Sequence, residues 1–145
     1  MIGMKKVIFY VMMIPVLAGM LFGCSDVKTD AKKLDGKWNV IEVKGEKLLE
    51  EGLPQMNFNI PENKLNGNTG CNLFNTTITL DSNDVSSITI NPAAATMMAC
   101  PDMDVEGKVL QSMEQVKGVK AGQNDNEMCL VDQNGNVLFV LSRAN

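Results

Sequence analysis

From Gly36 onward, apolar and polar residues mostly alternate, which is the period of a half-buried β-strand. Trp38, Val40 and Glu42 fall on one face of the first strand, Ile41 and Val43 fall on the other, and Gly45 ends it. Lys47 to Glu51 reads as a single helical turn. Met56, Phe58 and Ile60 alternate with Gln55, Asn57 and Asn59, and Pro61-Glu62-Asn63-Lys64 then supplies turn chemistry. Short strands follow at Leu65 to Thr69, at Thr76 to Leu80 and at Ser87 to Ile90. Near the end, Val119 to Ala121, Met128 to Asp132 and Val137 to Leu141 have the same character. Asn134-Gly135 between the last two is a strong hairpin signal. Val137 to Leu141 is apolar on both faces, so it is expected to be a central strand covered by a helix on one side.

One segment breaks the alternation. Val105, Val109, Met113 and Val116, with Leu110 beside them, recur at helical spacing. Asp102 and Asp104 suit its N-terminus, Glu106 its first turn, and Gly118 its stop. Many short strands at regular spacing and a single helix predict an α+β, mainly β fold. The expected form is a small antiparallel, barrel-like meander with the helix packed against it.

The first 23 residues stand apart. Lys5 and Lys6 precede an uncharged apolar run over residues 7–22, which is near the lower limit for a membrane span and ends in small residues. A signal peptide fits better than a transmembrane helix. Leu21-Phe22-Gly23-Cys24 also resembles the lipobox of bacterial lipoproteins. That resemblance implies cleavage before Cys24, which becomes the lipid-bearing first residue. The bland alternative is an ordinary secretory signal. Residues 24–35 are polar and read as a flexible tether, which leaves residues 36–145 as the domain.

Charge narrows the partners. The chain has 13 basic and 17 acidic residues and no His. Losing Lys5 and Lys6 with the signal takes the net charge from −4 to −6. This acidic balance argues against nucleic acid as a partner and against electrostatic adsorption to an anionic membrane. Membrane contact would come through the lipid on Cys24.

Two small-residue segments carry the most specific signal. Gly67 and Gly70 lead into Cys71-Asn72, where glycine suits a positive φ or a close backbone approach. The second segment runs from Pro92 to Ala99 without a charge and ends in Cys100-Pro101, so it is expected to pack against the domain. With Gly36-x-Trp38, these segments (Gly70-Cys71-Asn72 and Thr96-Met97-Met98-Ala99-Cys100) and the later Glu106 resemble the META domain family, the family of bacterial HslJ-like heat-shock lipoproteins. The resemblance spans roughly Gly36 to Ser142. Family members often have a Gly and an aromatic after the Asn, where this chain has Phe74-Asn75-Thr76-Thr77.

The resemblance implies a small β-barrel-like fold in the bacterial cell envelope, lipid-anchored at the outer membrane, with a role in stress response or envelope integrity. It implies no catalytic activity. In an oxidising compartment, with Cys24 committed to lipid and Cys71 and Cys100 in the two signature segments, a Cys71–Cys100 disulfide is expected. Cys129, in an apolar strand, is expected to be a buried free thiol.

Chemistry read from the residues alone excludes more than it offers. Without His there is no Ser-His-Asp or Cys-His catalysis, and without Cys-x-x-Cys no familiar zinc site. No cofactor or metal is expected. Asp102-x-Asp104-x-Glu106 lacks the later ligands of a calcium loop. Glu42, Glu50 and Glu51, or Asp102 with Glu106, read as chance carboxylate pairs among 17 acids. A reactive Cys71 would need a basic neighbour that the sequence does not show. Two functions remain: a non-enzymatic envelope or protein-interaction module, and a lipocalin-like carrier of a small hydrophobic ligand. Trp38, Phe58 and Phe139 would fill the core in the first case and line a cavity in the second.

Overall fold

The structure is a computed structural model, and it describes residues 24–101 and 103–145. The expected signal segment and the Asp102 cap lie outside the described residues.

Among the described residues a 3-10 turn at Ala31–Leu34 precedes ten strands and one helix: β1 Gly36–Val43, β2 Glu46–Lys47, β3 Gln55–Asn59, β4 Lys64–Asn68, β5 Leu73–Leu80, β6 Ile88–Ile90, β7 Ala94–Ala95, α1 Met103–Gln115, β8 Gly118–Ala121, β9 Glu127–Val131 and β10 Val137–Arg143. The main path through the sheet is antiparallel, in the order β6-β5-β4-β3-β1-β10-β9-β8. Two meanders are thus joined by β1, which sits between β3 and β10. The outer strands meet through a bridge between Ser87 and Gly118. There Ile88 N donates to Lys117 O at 3.2 Å and Val119 N to Ser86 O at 2.9 Å. The result is the expected α+β, mainly β architecture, a nearly closed eight-stranded barrel with few free edges.

α1 packs against β6 on one side and against β10 and β1 on the other. Those strands lie on opposite sides of the barrel, so the helix crosses its mouth. Val109 and Met113 face inward and Val116 follows them into the core. The buried face is rotated from the expected stripe: Val105 and Leu110 lie at its margin, while Glu106 and Ser112 are inside. Gly118 does not stop the helix; it opens β8, while α1 ends at Gln115.

Trp38, Phe58, Phe74 and Phe139 are fully buried in one continuous core. Trp38 donates from Nε1 to Leu34 O at 2.7 Å, and Arg143 lies 3.9 Å from its ring centroid. That pairing satisfies the indole N–H of an otherwise apolar site. β1 departs from simple alternation. A bulge between Val40 and Glu42 places an extra residue against β10, and Val43 then joins Trp38 and Val40 on the buried face. Ile41, the expected partner of Val43, is left half-buried on the outside.

Two further expectations change. Lys47 to Glu51 is not a helical turn, because Glu46–Lys47 pairs with the end of β1 and the chain then loops. The expected tether is docked along the barrel. Ser25 N donates to Ala121 O at 3.0 Å, Ala121 N to Val27 O at 2.9 Å and Thr29 N to Val119 O at 3.3 Å. Ala31 and Leu34 then anchor the segment in the core. β8 offered an unpaired edge there, and backbone groups near a core seek partners. The polar side chains of this segment point outward and hid that pairing from the sequence pattern.

Candidate binding site at the stapled turn

The Gly-Cys-Asn turn forms where β4 leaves the sheet. Gly67 must be glycine because a Cβ there would sit 1.9 Å from Gln55 O on the paired strand. Gly70 has φ +109°, a region that glycine alone adopts readily. Thr69 N closes the turn onto Asn72 O at 2.9 Å.

Asn72 is 1% exposed, and its amide is the centre of the site. Its Oδ1 accepts from Met98 N at 2.7 Å and from Thr96 Oγ1 at 2.8 Å. Its Nδ2 donates to Met98 O at 3.1 Å and approaches Cys100 Sγ at 3.4 Å. One side chain therefore pairs with both backbone groups of Met98, as a neighbouring strand would. The Thr96 hydroxyl also accepts from Leu73 N at 3.0 Å. The expected Cys71–Cys100 disulfide is present beside this clasp, with the two Cα atoms 6.0 Å apart. The structure thus brings together Gly70, Cys71, Asn72, Thr96, Met98 and Cys100, and Ala99 lies in the loop between them.

The turn also reaches α1. Thr69 Oγ1 lies 2.8 Å from Glu106 Oε1 and 3.2 Å from Asn72 O. A hydroxyl has one proton, so it serves one acceptor at a time, and the shorter contact favours the carboxylate. Glu106 is 4% exposed, and its second oxygen, Oε2, is buried without a hydrogen-bond partner. An unpaired buried carboxylate oxygen is costly and calls for a donor.

Thr69, the disulfide and Glu106 line one side of a cleft of about 560 Å³. Leu48, Leu53, Pro54 and Val105 supply apolar walls, and Glu46, Lys47 and Glu51 also contribute to its lining. Lys108 pairs with Glu46 at this side of the molecule. Smaller clefts occur beside Cys24 and between Lys117 and Asp132, but this one meets both the stapled turn and Glu106, whose orphan oxygen lies buried behind its wall.

The other cysteines depart from expectation. Cys129 is not a free thiol. It is bonded to Cys24, with Cα atoms 5.9 Å apart. A sulfur in a disulfide cannot also hold a lipid thioether, so this bridge and the expected lipid are alternatives at Cys24. The cause is local: the docked segment ends beside β9, and Cys129 lies opposite Val140 on the barrel's outer face. In the Asp102-x-Asp104-x-Glu106 run, which lacks the later ligands of a calcium loop, Asp104 is exposed and Glu106 is buried. Among the described residues no group of three or more Cys, Asp or Glu side chains is placed to hold a metal ion.

Glu106 as a buried group was missed by the sequence reading. Its spacing was a usable signal, since Glu106, Val109 and Met113 fall at i, i+3 and i+7 on one helix face.

Three comparisons bear on this geometry. The sequence model of the META domain matches residues 31–145. No curated protein matches the chain. A protein from Burkholderia xenovorans with an NMR structure superposes with a TM-score of 0.62 at 17% identity, over 85% of this chain and 93% of that one. A DUF4847 family protein from Bacteroides vulgatus, known from a crystal structure, gives a TM-score of 0.53 at 12% identity, over 77% and 94% of the two chains. At these identities the likeness is one of fold.

Proposed function

The chain belongs to the META domain family, and on that premise we propose that it is a non-enzymatic protein-interaction module of the bacterial cell envelope, akin to the HslJ-like lipoproteins. Its working face is the stapled turn and the segments around it. One observation carries this reading. Large apolar side chains exposed among the described residues are Val27, Leu49, Leu73, Val85, Met97, Met98 and Met103. Five of these seven lie at or beside the staple: Leu73 next to Asn72, Met97 and Met98 in the paired loop, Met103 at the start of α1, and Leu49 in the cleft. Met97 is 98% exposed. Flexible Met-rich surfaces adapt to partner proteins, and such patches mark interaction sites. The aromatic core argues against a carrier, because Trp38, Phe58 and Phe139 fill the barrel's interior.

The two disulfides favour an oxidising compartment. Leu21-Phe22-Gly23-Cys24 supports a lipid anchor, and lipid and bridge compete for one sulfur. In this reading, processing at the signal alkylates Cys24 and leaves Cys129 a thiol, and the Cys24–Cys129 bond belongs to chain that has not been acylated.

A photo-crosslinking residue at Met97, with one at Asn83 as control, tests the working face in living cells. A discrete protein adduct at position 97 and none at 83 is expected. Equal, diffuse labelling at both positions would refute the interaction face. Labelled fatty acid should enter the native chain and not Cys24→Ala; incorporation into both would refute the anchor.

A further inference from the structure

We propose that the cleft beside the staple receives a lysine side chain of the partner protein. This rests on the interaction-module reading and names the chemistry that the partner presents. Glu106 carries the inference. Its carboxylate is almost wholly buried, one oxygen is held by Thr69, and the other lacks a donor. The residue that lacks the donor is also part of the cleft wall.

The remaining lining selects the donor. Glu46 is already paired with Lys108, and the other carboxylates of the lining, Glu51 and Glu106, outnumber its one basic residue, Lys47, so the cleft favours a cation. Leu48, Leu53, Pro54 and Val105 suit an apolar stem. A lysine has both parts, four methylenes and an ammonium with three donors. Placed here, its stem covers the leucines, and turning the Glu106 side chain toward the cleft brings Oε2, otherwise closed to solvent, to the ammonium as its missing donor. A neutral apolar residue would cover the same walls and leave that oxygen unpaired, which is how a buried polar group confers specificity.

The probes are two tripeptides, acetyl-Leu-Lys-Leu-amide and the same peptide with norleucine for lysine, which keeps the stem and removes the ammonium. They are titrated into the ¹⁵N-labelled full chain and followed by NMR. The lysine peptide is expected to shift the amides of Thr69, Gly70, Val105 and Glu106. It should bind about tenfold more tightly than the norleucine peptide, as a charge-assisted hydrogen bond allows. Glu106→Gln keeps an acceptor for Thr69 and places an amide where the orphan oxygen was, so the lysine preference should fall to near one. Leu53→Ala, on the apolar wall, should weaken both peptides alike and leave their ratio unchanged.

Equal binding of the two peptides, a preference that survives Glu106→Gln, shifts that map elsewhere, or no binding at millimolar peptide would overturn the proposal. If the peptides fail while the Met97 crosslink succeeds, only the cleft's ligand is wrong. If both fail, the interaction-module reading falls with it.

Discussion

The two disulfides do different work in one small barrel. Cys71–Cys100 spans 29 residues and joins two loops that Asn72 already holds together. Cys24–Cys129 spans 105 residues and ties the start of the described chain to a central strand pair. The first is redundant with a local hydrogen-bond network, whereas the second lies at the far end of a segment that edge hydrogen bonds along β8 and the buried Ala31 and Leu34 hold. A cross-link adds most where the chain between its ends is long and otherwise free. The comparison separates a bond that shapes a surface from one that fixes the segment ahead of β1.

The largest effect should come from breaking each bridge in turn. In oxidised, unacylated chain, loop-closure entropy assigns the longer link about 4.7 kcal/mol and the shorter about 3.6 kcal/mol. Cys24→Ala is therefore expected to lower the unfolding free energy in urea more than Cys71→Ala, each variant leaving one unpaired thiol. The reverse order would mean that the Cys71–Cys100 bond supports the fold well beyond its own loop.

A sharper test lies within the stapled side. Asn72→Ala strands both backbone groups of Met98 and leaves the Thr96 hydroxyl without its acceptor. A cost of about 1–3 kcal/mol is expected, from the loss of part-buried hydrogen bonds whose partners on the loop can turn to water. Combined with Cys71→Ala the costs should not add, because clasp and bridge hold the same two segments. Strict additivity in urea unfolding would show that they act independently.

These elements also show what the sequence could reveal. The strands were legible because alternation reports burial directly, and Met56, Phe58 and Ile60 lie inward as their spacing predicts. The Cys71–Cys100 pairing followed from two motif segments recognised together. The fate of Cys24 did not, because the preceding signal already accounted for that cysteine. The docking of residues 25–29 rests on backbone pairing to β8, which leaves no hydrophobic period to read. Glu106 escaped because a charged residue near a helix N-terminus has an ordinary explanation in the helix dipole. The bulge in β1 left Ile41 outside but moved Val43 to the buried face, since one extra residue shifts every later side chain.

The smallest effect sharpens the comparison on the Cys129 side, in the hairpin that joins β9 to β10. The expected Asn-Gly signal does mark this hairpin, but Gly135 alone of the pair takes a positive φ, at +82°. Asp132 organises the turn instead. Its Oδ1 accepts from Asn134 N and Asn136 N, both at 2.9 Å, and its Oδ2 from Asn136 Nδ2 at 3.2 Å. Desolvation pushes the carboxyl upward, but the backbone and side-chain hydrogen bonds from Asn136, with those from Asn134 and Gly135, outweigh it and hold it below the ordinary value of 3.8. A carboxyl whose folded pKa is depressed contributes stability that is present above the unfolded value and is lost as pH falls through the folded one. Asp132→Asn should therefore lower the urea midpoint by a small, constant amount from neutral pH down to about pH 5, and the gap to the native chain should close below about pH 4. Urea midpoints measured between pH 2 and 7 check this. A gap that persists or widens in acid would mean that the turn depends on the shape of the Asp132 side chain and not on its charge.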